Sequence, residues 1–142
     1  MTSNVEIRIA TGDDVEHVLP LARDMATSFF VQTDQFRSTF AELMERDDAL
    51  VFVAEEQGDV VGYLLGFDHL SFYANGRVSY VEELAVSADR RGQGIGQHML
   101  EAFEGWAKTR SSTLVTVATR RAAPFYAALD YEETAILFRK VL

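Results

Sequence analysis

The sequence contains no cysteine and only two prolines. Without cysteine the chain has no disulfide, no thiolate metal ligand and no thiol nucleophile. A mechanism through an acyl-cysteine intermediate is therefore excluded. The three histidines, His17, His69 and His98, are scattered without the spacing of metal ligands, so we expect no metal site.

Long apolar runs are also missing from the chain. No apolar run approaches the ~20 residues that a membrane-spanning helix needs. Residues 1–10 lack the basic region followed by an apolar core that marks a signal peptide. These two absences predict a cytoplasmic protein that makes no use of a membrane.

Basic residues are scarce relative to acidic ones. The 13 Lys and Arg residues face 22 Asp and Glu residues, which gives a net charge of −9 at pH 7. Binding of nucleic acid requires a basic surface, so we expect no nucleic-acid partner. The acidity is compatible with a cationic acceptor such as an amine or a basic peptide. The alternative is that the acidity only keeps the protein soluble. With 142 residues and no linker or repeat, the chain is expected to form one domain over residues 1–142.

Apolar periodicity predicts alternating helices and strands. Strand patterns begin and end the chain, and helical patterns lie between them, which is typical of an α/β fold with a mixed sheet and about four helices. The predicted strands cover residues 5–10, 49–55, 60–68, 76–86, 113–118 and 131–141. The predicted helices cover residues 11–26, 33–46 and 94–108, and a short one contains Pro124 in its first turn.

The most informative segment is Arg91-Gly92-Gln93-Gly94-Ile95-Gly96, which lies between a predicted strand and a predicted amphipathic helix. Such a turn presents unpaired backbone N–H groups at the positive end of a helix dipole. Glycines let the backbone approach a ligand closely, and Arg90 and Arg91 add full positive charge. The segment therefore predicts a phosphate or pyrophosphate site, although it matches neither the P-loop nor the dinucleotide-binding pattern.

Three segments resemble the GCN5-related N-acetyltransferase (GNAT) family. Arg91-x-x-Gly94-x-Gly96 resembles its pyrophosphate loop, and Val81–Val86 resembles its fourth strand. The segment Ala122–Tyr131 is similar to the family's A-x-x-F-Y-x-x-x-G-F pattern. The resemblance covers roughly residues 50–142 well and implies a GNAT-type fold that uses acetyl-CoA as cosubstrate.

The resemblance also implies a set of cofactor-binding residues. In the family, the pantetheine arm of the cofactor enters a gap between the fourth and fifth strands. Here the arm would be held by the backbone at Leu84, Ala85 and Val86. The pyrophosphate would be held by Arg91, Gly92, Gln93, Gly94, Ile95 and Gly96. Thr119 stands where the family often has asparagine, and it can hydrogen-bond the arm or a helix end; Phe125 packs beside the site.

Glu82 is the candidate general base. Strand alternation places it on the same largely apolar face as Leu84 and Val86, unless a bulge interrupts the strand. A carboxylate in a partly buried cleft has a raised pKa, which suits it to accept a proton. The alternative is an ion pair with Arg77, Arg120 or Arg121. Glu83 points the opposite way, which favours a surface role.

Tyr126 is the candidate general acid, because it falls on the position of the family's common acid. Its phenol has a pKa of about 10 in water, so it is protonated at neutral pH and can donate to the departing thiolate. The alternative is a core tyrosine between the last helix and the sheet. For Phe125, packing is the favoured role.

The sequence thus predicts an N-acetyltransferase that moves acetyl from acetyl-CoA to a primary amine on a small molecule or a peptide. The alternative is a catalytically inactive CoA-binding or regulatory module of the same fold. The last predicted strand, Tyr131–Val141, ends the chain without an obvious covering element. An unpaired apolar edge tends to find a partner, so a homodimer is also expected.

Overall fold

The computed structural model describes residues 4–142. Residues 1–3, the beginning of the segment without signal-peptide features, lie outside the described residues. In chain order the elements are β1 (Val5–Ile9), α1 (Val15–Met25), α2 (Thr33–Met44), β2 (Ala49–Glu56), β3 (Asp59–Ser71), β4 (Gly76–Val86), α3 (Ile95–Thr109), β5 (Val115–Val117) and α4 (Ala123–Ala128). Short 3₁₀ turns lie at Gly12–Asp14 and Ala88–Arg90.

The five strands form one sheet in the order β1-β2-β3-β4-β5. The first four strands are antiparallel to their neighbours, and β5 is parallel to β4. One face of the sheet packs against α3 through a cluster that includes Leu64, Met99 and Phe103. The other face packs against α1 and α2 through Val53 and Phe40, among others. The predicted mixed sheet with four helices is confirmed.

The predicted turns adopt the backbone conformations that their residues favour. Gln57 and Gly58 both have positive φ, 51° and 88°, which closes the β2–β3 hairpin with a two-residue turn. Asp130 has φ 68° after α4, and aspartate tolerates this left-handed conformation better than most residues. Each turn therefore follows from local sequence.

Two glycines of β3 allow α3 to lie close to the sheet. A Cβ at Gly66 would overlap the ring of Phe103, and one at Gly62 would lie 2.9 Å from Cε of Met99. Phe103 and Met99 are fully buried. The close approach fixes the position of α3, and with it the loop that precedes the helix.

The predicted last strand, Tyr131–Val141, is wrong. Residues 132–142 form neither helix nor strand and are exposed. An imperfect alternating pattern is present, but a strand also requires pairing with a neighbouring backbone, and this segment makes no backbone hydrogen bond within the described chain. β5 consequently keeps one edge free, since it pairs with β4 alone. Across residues 4–142, no helix combines the length and the apolar character needed to cross a bilayer.

Candidate active site

The sheet opens where the pairing between β4 and β5 stops. The last pair is Val81 with Val117, whereas β4 continues to Val86. On its other edge β4 stays paired with β3 up to Gly62 and Val86. The edge of β4 that faces β5 is therefore unpaired over residues 82–86. Backbone groups left open in this way suit an amide-bearing ligand that adds like a strand, the role that the family resemblance implies for Leu84 and Val86.

The glycine-rich loop lies at the same end of β4. Gly92 and Gly94 have φ of 78° and 85°, a conformation that strains other residues, and a Cβ at either would meet nothing within 4 Å. The first helical hydrogen bond of α3 runs from the N–H of His98 to the carbonyl of Gly94, 3.0 Å. Within residues 4–142, the N–H groups of residues 92–97 have no acceptor. They form an open cluster of donors at the positive end of a helix.

The two arginines before this loop differ in what they bind. Arg90 pairs with Glu56 at 2.5 Å and with Asp89, so the expectation that its charge faces a ligand is wrong. Arg91 is exposed and donates from Nε to the carbonyl of Val86, 3.2 Å. This bond ties the loop to the end of β4. Arg91 makes no ion pair with any residue in the described part of the chain, so its charge is available.

Glu82 occupies a β-bulge. The register of β3 and β4 passes from Leu65–Glu83 to Gly66–Val81, which leaves Glu82 without a partner in β3. The bulge shifts the alternation of side chains along β4, so the predicted assignment of its residues to the two faces of the sheet is wrong. Val81 packs on the α3 side together with Leu84 and Val86.

The carboxylate of Glu82 is unpaired among the described residues. Partial burial raises its pKa, and the negative charge of Glu83 raises it further. Arg77, one of its predicted ion-pair partners, instead binds Asp68 at 3.0 Å. Arg120 and Arg121 make no ion pair in the described range either. Glu82 is thus an exposed, unpaired carboxylate at the point where the strands separate.

Glu83 lies inside a cavity between the sheet and helices α1 and α2, so the expected surface role is wrong. It is half-buried and accepts a hydrogen bond from the Tyr63 hydroxyl at 2.7 Å. Burial raises the pKa of Tyr63, and the charge of Glu83 adds to this. The cavity has a volume of about 160 Å³ and is otherwise lined mainly by apolar side chains, among them Val18, Ala22, Met25, Phe36 and Phe40.

The sequence contained an indication that Glu83 does not point to open solvent. Two adjacent glutamates in a strand point to opposite faces. Because helices cover both faces of this sheet, the second glutamate cannot point to open solvent. Sequence reasoning missed this consequence of the predicted fold.

Tyr126 lies on α4 and is 8% exposed. Its ring contacts those of Phe125 and Tyr131, with centroids 4.9 Å and 5.7 Å apart. Burial raises the pKa of its phenol, which keeps the hydroxyl protonated at neutral pH. Within the described chain, the Tyr126 hydroxyl has no hydrogen-bond partner. Since no buried side-chain oxygen among these residues lacks a partner, the hydroxyl oxygen is not fully buried and is in contact with solvent. It is available to donate a proton.

The remaining predicted residues occupy packing, helix-end or exposed positions. A Cβ at Gly96 would lie 3.3 Å from Cζ of Phe125, so Phe125 packs on the first turn of α3. Thr119 accepts a hydrogen bond from the N–H of Ala122 at 2.9 Å, which is the helix-end role. The Ile95 side chain is core at 1% exposure. Ala85 packs toward α1 and α2, and Gln93 is exposed. No cluster of three or more potential metal ligands occurs within residues 4–142.

Comparisons with known proteins agree with this geometry. The model of the acetyltransferase (GNAT) family matches residues 16–131. The chain is 29% identical over 140 residues to an uncharacterized N-acetyltransferase of Methanocaldococcus jannaschii; the match covers 92% of this chain and 62% of that protein. The chain thus spans less than two thirds of that relative's length.

Solved structures share the fold. A transcriptional regulator from Bacillus halodurans C-125 superposes with a TM-score of 0.89 at 21% identity, over 97% of this chain and 99% of that one. The aminoglycoside N-acetyltransferase AAC(6')-Iy in complex with CoA superposes with a TM-score of 0.84 at 20% identity, over 96% and 94% of the two chains. The chain therefore belongs to the acetyltransferase (GNAT) family, whose fold binds acetyl-CoA.

Proposed function

We propose that this protein transfers acetyl from acetyl-CoA to a primary amine by direct attack, with Glu82 as general base and Tyr126 as general acid. The observation that supports it best is the end of β4. Residues 82–97 combine three features there. They are an unpaired strand edge, a loop of N–H groups without acceptors and an unpaired carboxylate. An unpaired carboxylate beside the gap favours an enzyme over an inactive binding module.

The chain offers a partner for each part of the cofactor. The backbone of Leu84 and Val86 would pair with the amides of the pantetheine arm. The N–H groups of residues 92–96 would bind the pyrophosphate, since a helix N-terminus favours an anion. Arg91, Arg120 and Arg121 carry charge that no acid in the described residues neutralises, and they would offset the phosphates in an otherwise acidic protein.

The reaction needs two proton transfers, and each has a candidate group. The neutral amine forms a bond to the thioester carbon, and Glu82 accepts the amine proton directly or through an ordered water. Backbone N–H groups near Leu84 polarise the carbonyl oxygen. The carbon–sulfur bond breaks, and the Tyr126 hydroxyl protonates the thiolate. Each general acid or base of this kind contributes ~10²–10⁴-fold to the rate.

The cavity that contains Glu83 is the proposed acceptor pocket. It lies on the other face of β4 from α3, directly beside the bulge at Glu82. A carboxylate at one side of an apolar cavity suits an ammonium group on a small apolar body. Its volume of about 160 Å³ accommodates a small molecule or one peptide side chain.

A screen of amines with acetyl-CoA, read by release of free thiol, tests this function. The chain has no cysteine, so every thiol detected comes from CoA. We expect turnover with at least one class among amino acids, polyamines, aminoglycosides and peptides, and a fall of about 10²-fold in Glu82→Gln. CoA binding without thiol release for any class would instead favour the inactive binding module.

A further inference from the structure

Glu83 is a carboxylate without a counter-ion in a mainly apolar cavity. Among the described residues that line the cavity of about 160 Å³ between the sheet and helices α1 and α2, it is the only charged one. It is half-buried and forms no ion pair within residues 4–142. A carboxylate that is partly removed from water is stabilised by a nearby positive charge. The cavity is therefore suited to a ligand that carries a cation.

Tyr63 holds this carboxylate in one orientation. Its hydroxyl donates to Oε1 of Glu83 at 2.7 Å, and its side chain is buried. Burial raises the pKa of Tyr63, and the charge of Glu83 raises it further, so the hydroxyl stays protonated and remains a donor. A carboxylate accepts several hydrogen bonds through its two oxygens. Glu83 is thus oriented by one donor and can accept others from a ligand.

The end of α1 also favours a cation in this cavity. Ala22 and Met25 belong to the last turn of the helix and Ala26 follows it, and all three line the cavity. The C-terminus of a helix carries a partial negative charge. Arg23, the basic residue of this turn, is exposed and does not line the cavity. The carboxylate and the helix end therefore act in the same direction.

The charge of Glu83 also determines what a bound amine can do. The amine of a lysine side chain has a pKa of about 10.4 in water, and a nearby carboxylate raises the pKa of an amine further. An ammonium group has no free electron pair, so a group bound at Glu83 stays charged and cannot attack a thioester. The attacking amine must therefore be a second one, beside the bulge at Glu82.

We propose that the acceptor is a diamine with an apolar spacer, and that Glu83 binds the ammonium group that is not acetylated. This inference rests on the proposed function, because it names the substrate class for the same site. The spacer packs against the apolar lining of the cavity. The second amine, which is neutral, forms the amide bond and gives a proton to Glu82; the carbon–sulfur bond breaks, and Tyr126 protonates the thiolate. The ammonium group at Glu83 keeps its proton throughout.

Steady-state kinetics with simple amines test the diamine proposal. The probes are diaminopropane, diaminobutane and diaminopentane, each compared with the monoamine of the same carbon chain. For the best diamine, the parent should show a kcat/KM at least about tenfold above that of its monoamine, the ratio expected for one charge-assisted hydrogen bond. The monoamine should inhibit acetylation of the diamine competitively, because its single ammonium group binds at Glu83.

Substitutions at Glu83 and Tyr63 separate binding from chemistry. In Glu83→Gln, KM for the best diamine should rise by about 10- to 100-fold, with a smaller change in kcat, and the preference over the monoamine should disappear. Tyr63→Phe keeps the charge and removes only its orienting bond, so KM should rise less. The matched control is Glu42→Gln, since Glu42 is exposed on α2 and does not line the cavity; it should keep the parental KM.

The outcomes distinguish this inference from the proposed function. Equal kcat/KM for diamines and monoamines in the parent, or a parental KM in Glu83→Gln, overturns the diamine proposal and leaves acetyl transfer intact. Thiol release with another class of amine alone overturns it as well. Because the parent decides the first comparison by itself, a Glu83→Gln variant that fails to fold does not weaken the test.

Absence of thiol release with every amine would count against the proposed function. Titration calorimetry of diaminobutane against the CoA-bound protein then tests the ammonium site by itself. An affinity about tenfold or more lower in Glu83→Gln than in the parent supports the site. Equal affinity in the two proteins, or no binding by the parent, overturns it.

Discussion

At the scale of single residues, the proposed chemistry depends on how two adjacent glutamates are separated. The bulge turns Glu82 out of the strand pairing, and Glu83 is fixed on the opposite side by Tyr63. Partial burial raises the pKa of Glu82, and the like charge of Glu83 at the neighbouring position raises it further. Sequence alone identified the pair and the loop, but it could not locate the bulge, because a bulge depends on pairing with β3.

We predict that the rate rises with pH as Glu82 loses its proton. Its raised pKa places this rise above the ordinary range of a glutamate near 4.3. Below that pKa the carboxyl is protonated and cannot accept a proton; above it, it can. In Glu82→Gln, kcat/KM should fall by about 10²-fold and this acidic limb should vanish. If Glu82→Gln kept the same acidic limb, the base would be another group. Glu6→Gln is the control, because Glu6 is exposed on β1 and its substitution should leave kcat/KM unchanged.

Tyr126→Phe should lower turnover without weakening CoA binding. The substitution keeps the ring packed against Phe125 and Tyr131 and removes only the hydroxyl. We expect kcat to fall by ~10²-fold, the low end for a general acid, because a thiol of pKa about 8.5 is already a fair leaving group. The measurement is kcat by thiol release and the dissociation constant of CoA by calorimetry, on one sample.

Tyr131→Phe is the matched control for this prediction. Its ring contacts Tyr126, but its hydroxyl is bound to Glu104. It should cost about 1 kcal/mol of stability and leave kcat unchanged. Equal kcat in Tyr126→Phe and the parent would make Tyr126 a packing residue.

At the scale of elements, local pattern predicted most of the fold. The stripe of α3 and the alternation of β2 and β3 each fix a buried face, and Gly66 fixes how close α3 lies. Two elements were misjudged at the β5 side of the sheet. β5 pairs over three residues of the six predicted, and the last strand does not form. Both depend on a neighbour for pairing, which the sequence pattern cannot supply.

Asp68 connects three elements, and substituting it tests how much this connection stabilises the fold. Its side chain is fully buried on β3 and is bound by Arg77 of β4 and by Arg110 at the end of α3. We expect Asp68→Ala to lower the free energy of unfolding by about 3 kcal/mol, the low end for a broken buried pair, because both arginines keep some contact with water. The midpoints and slopes of urea unfolding curves for the parent and the variant give this difference in the free energy of unfolding.

A surface ion pair provides the comparison for Asp68. Asp48 pairs with Arg46, and both side chains are 41% exposed or more. Asp48→Ala should cost less than about 1 kcal/mol. Equal losses in the two variants would contradict a structural role for the buried pair.

At the scale of the whole molecule, an acidic domain has to bind an anionic cofactor. We propose that Arg91, Arg120 and Arg121, which form no ion pair in the described chain, compensate this charge; Arg8, Arg37, Arg46, Arg77, Arg90 and Arg110 are paired with acids. The net charge of −9 thus does not tell which arginines the fold leaves unpaired. The composition excluded nucleic acid as an expected partner, but it could not reveal this local arrangement, because pairing is a property of the fold.

The central claim is that the loop before α3 binds the pyrophosphate of CoA through its backbone. Gly94→Val places a side chain in the open space where the phosphates would lie. The matched control is Gly58→Val in the β2–β3 turn, where φ is 88° against 85° at Gly94 and the surroundings are equally open. The two substitutions impose the same backbone strain, and only one lies at the site.

Titration calorimetry of CoA against the parent and these two variants tests the claim most directly. Loss of charge-assisted hydrogen bonds worth about 1.5–3 kcal/mol corresponds to a fall in affinity of at least about tenfold. We predict that fall in Gly94→Val and parental affinity in Gly58→Val, with both variants folded by circular dichroism. Parental CoA affinity in Gly94→Val would contradict the account.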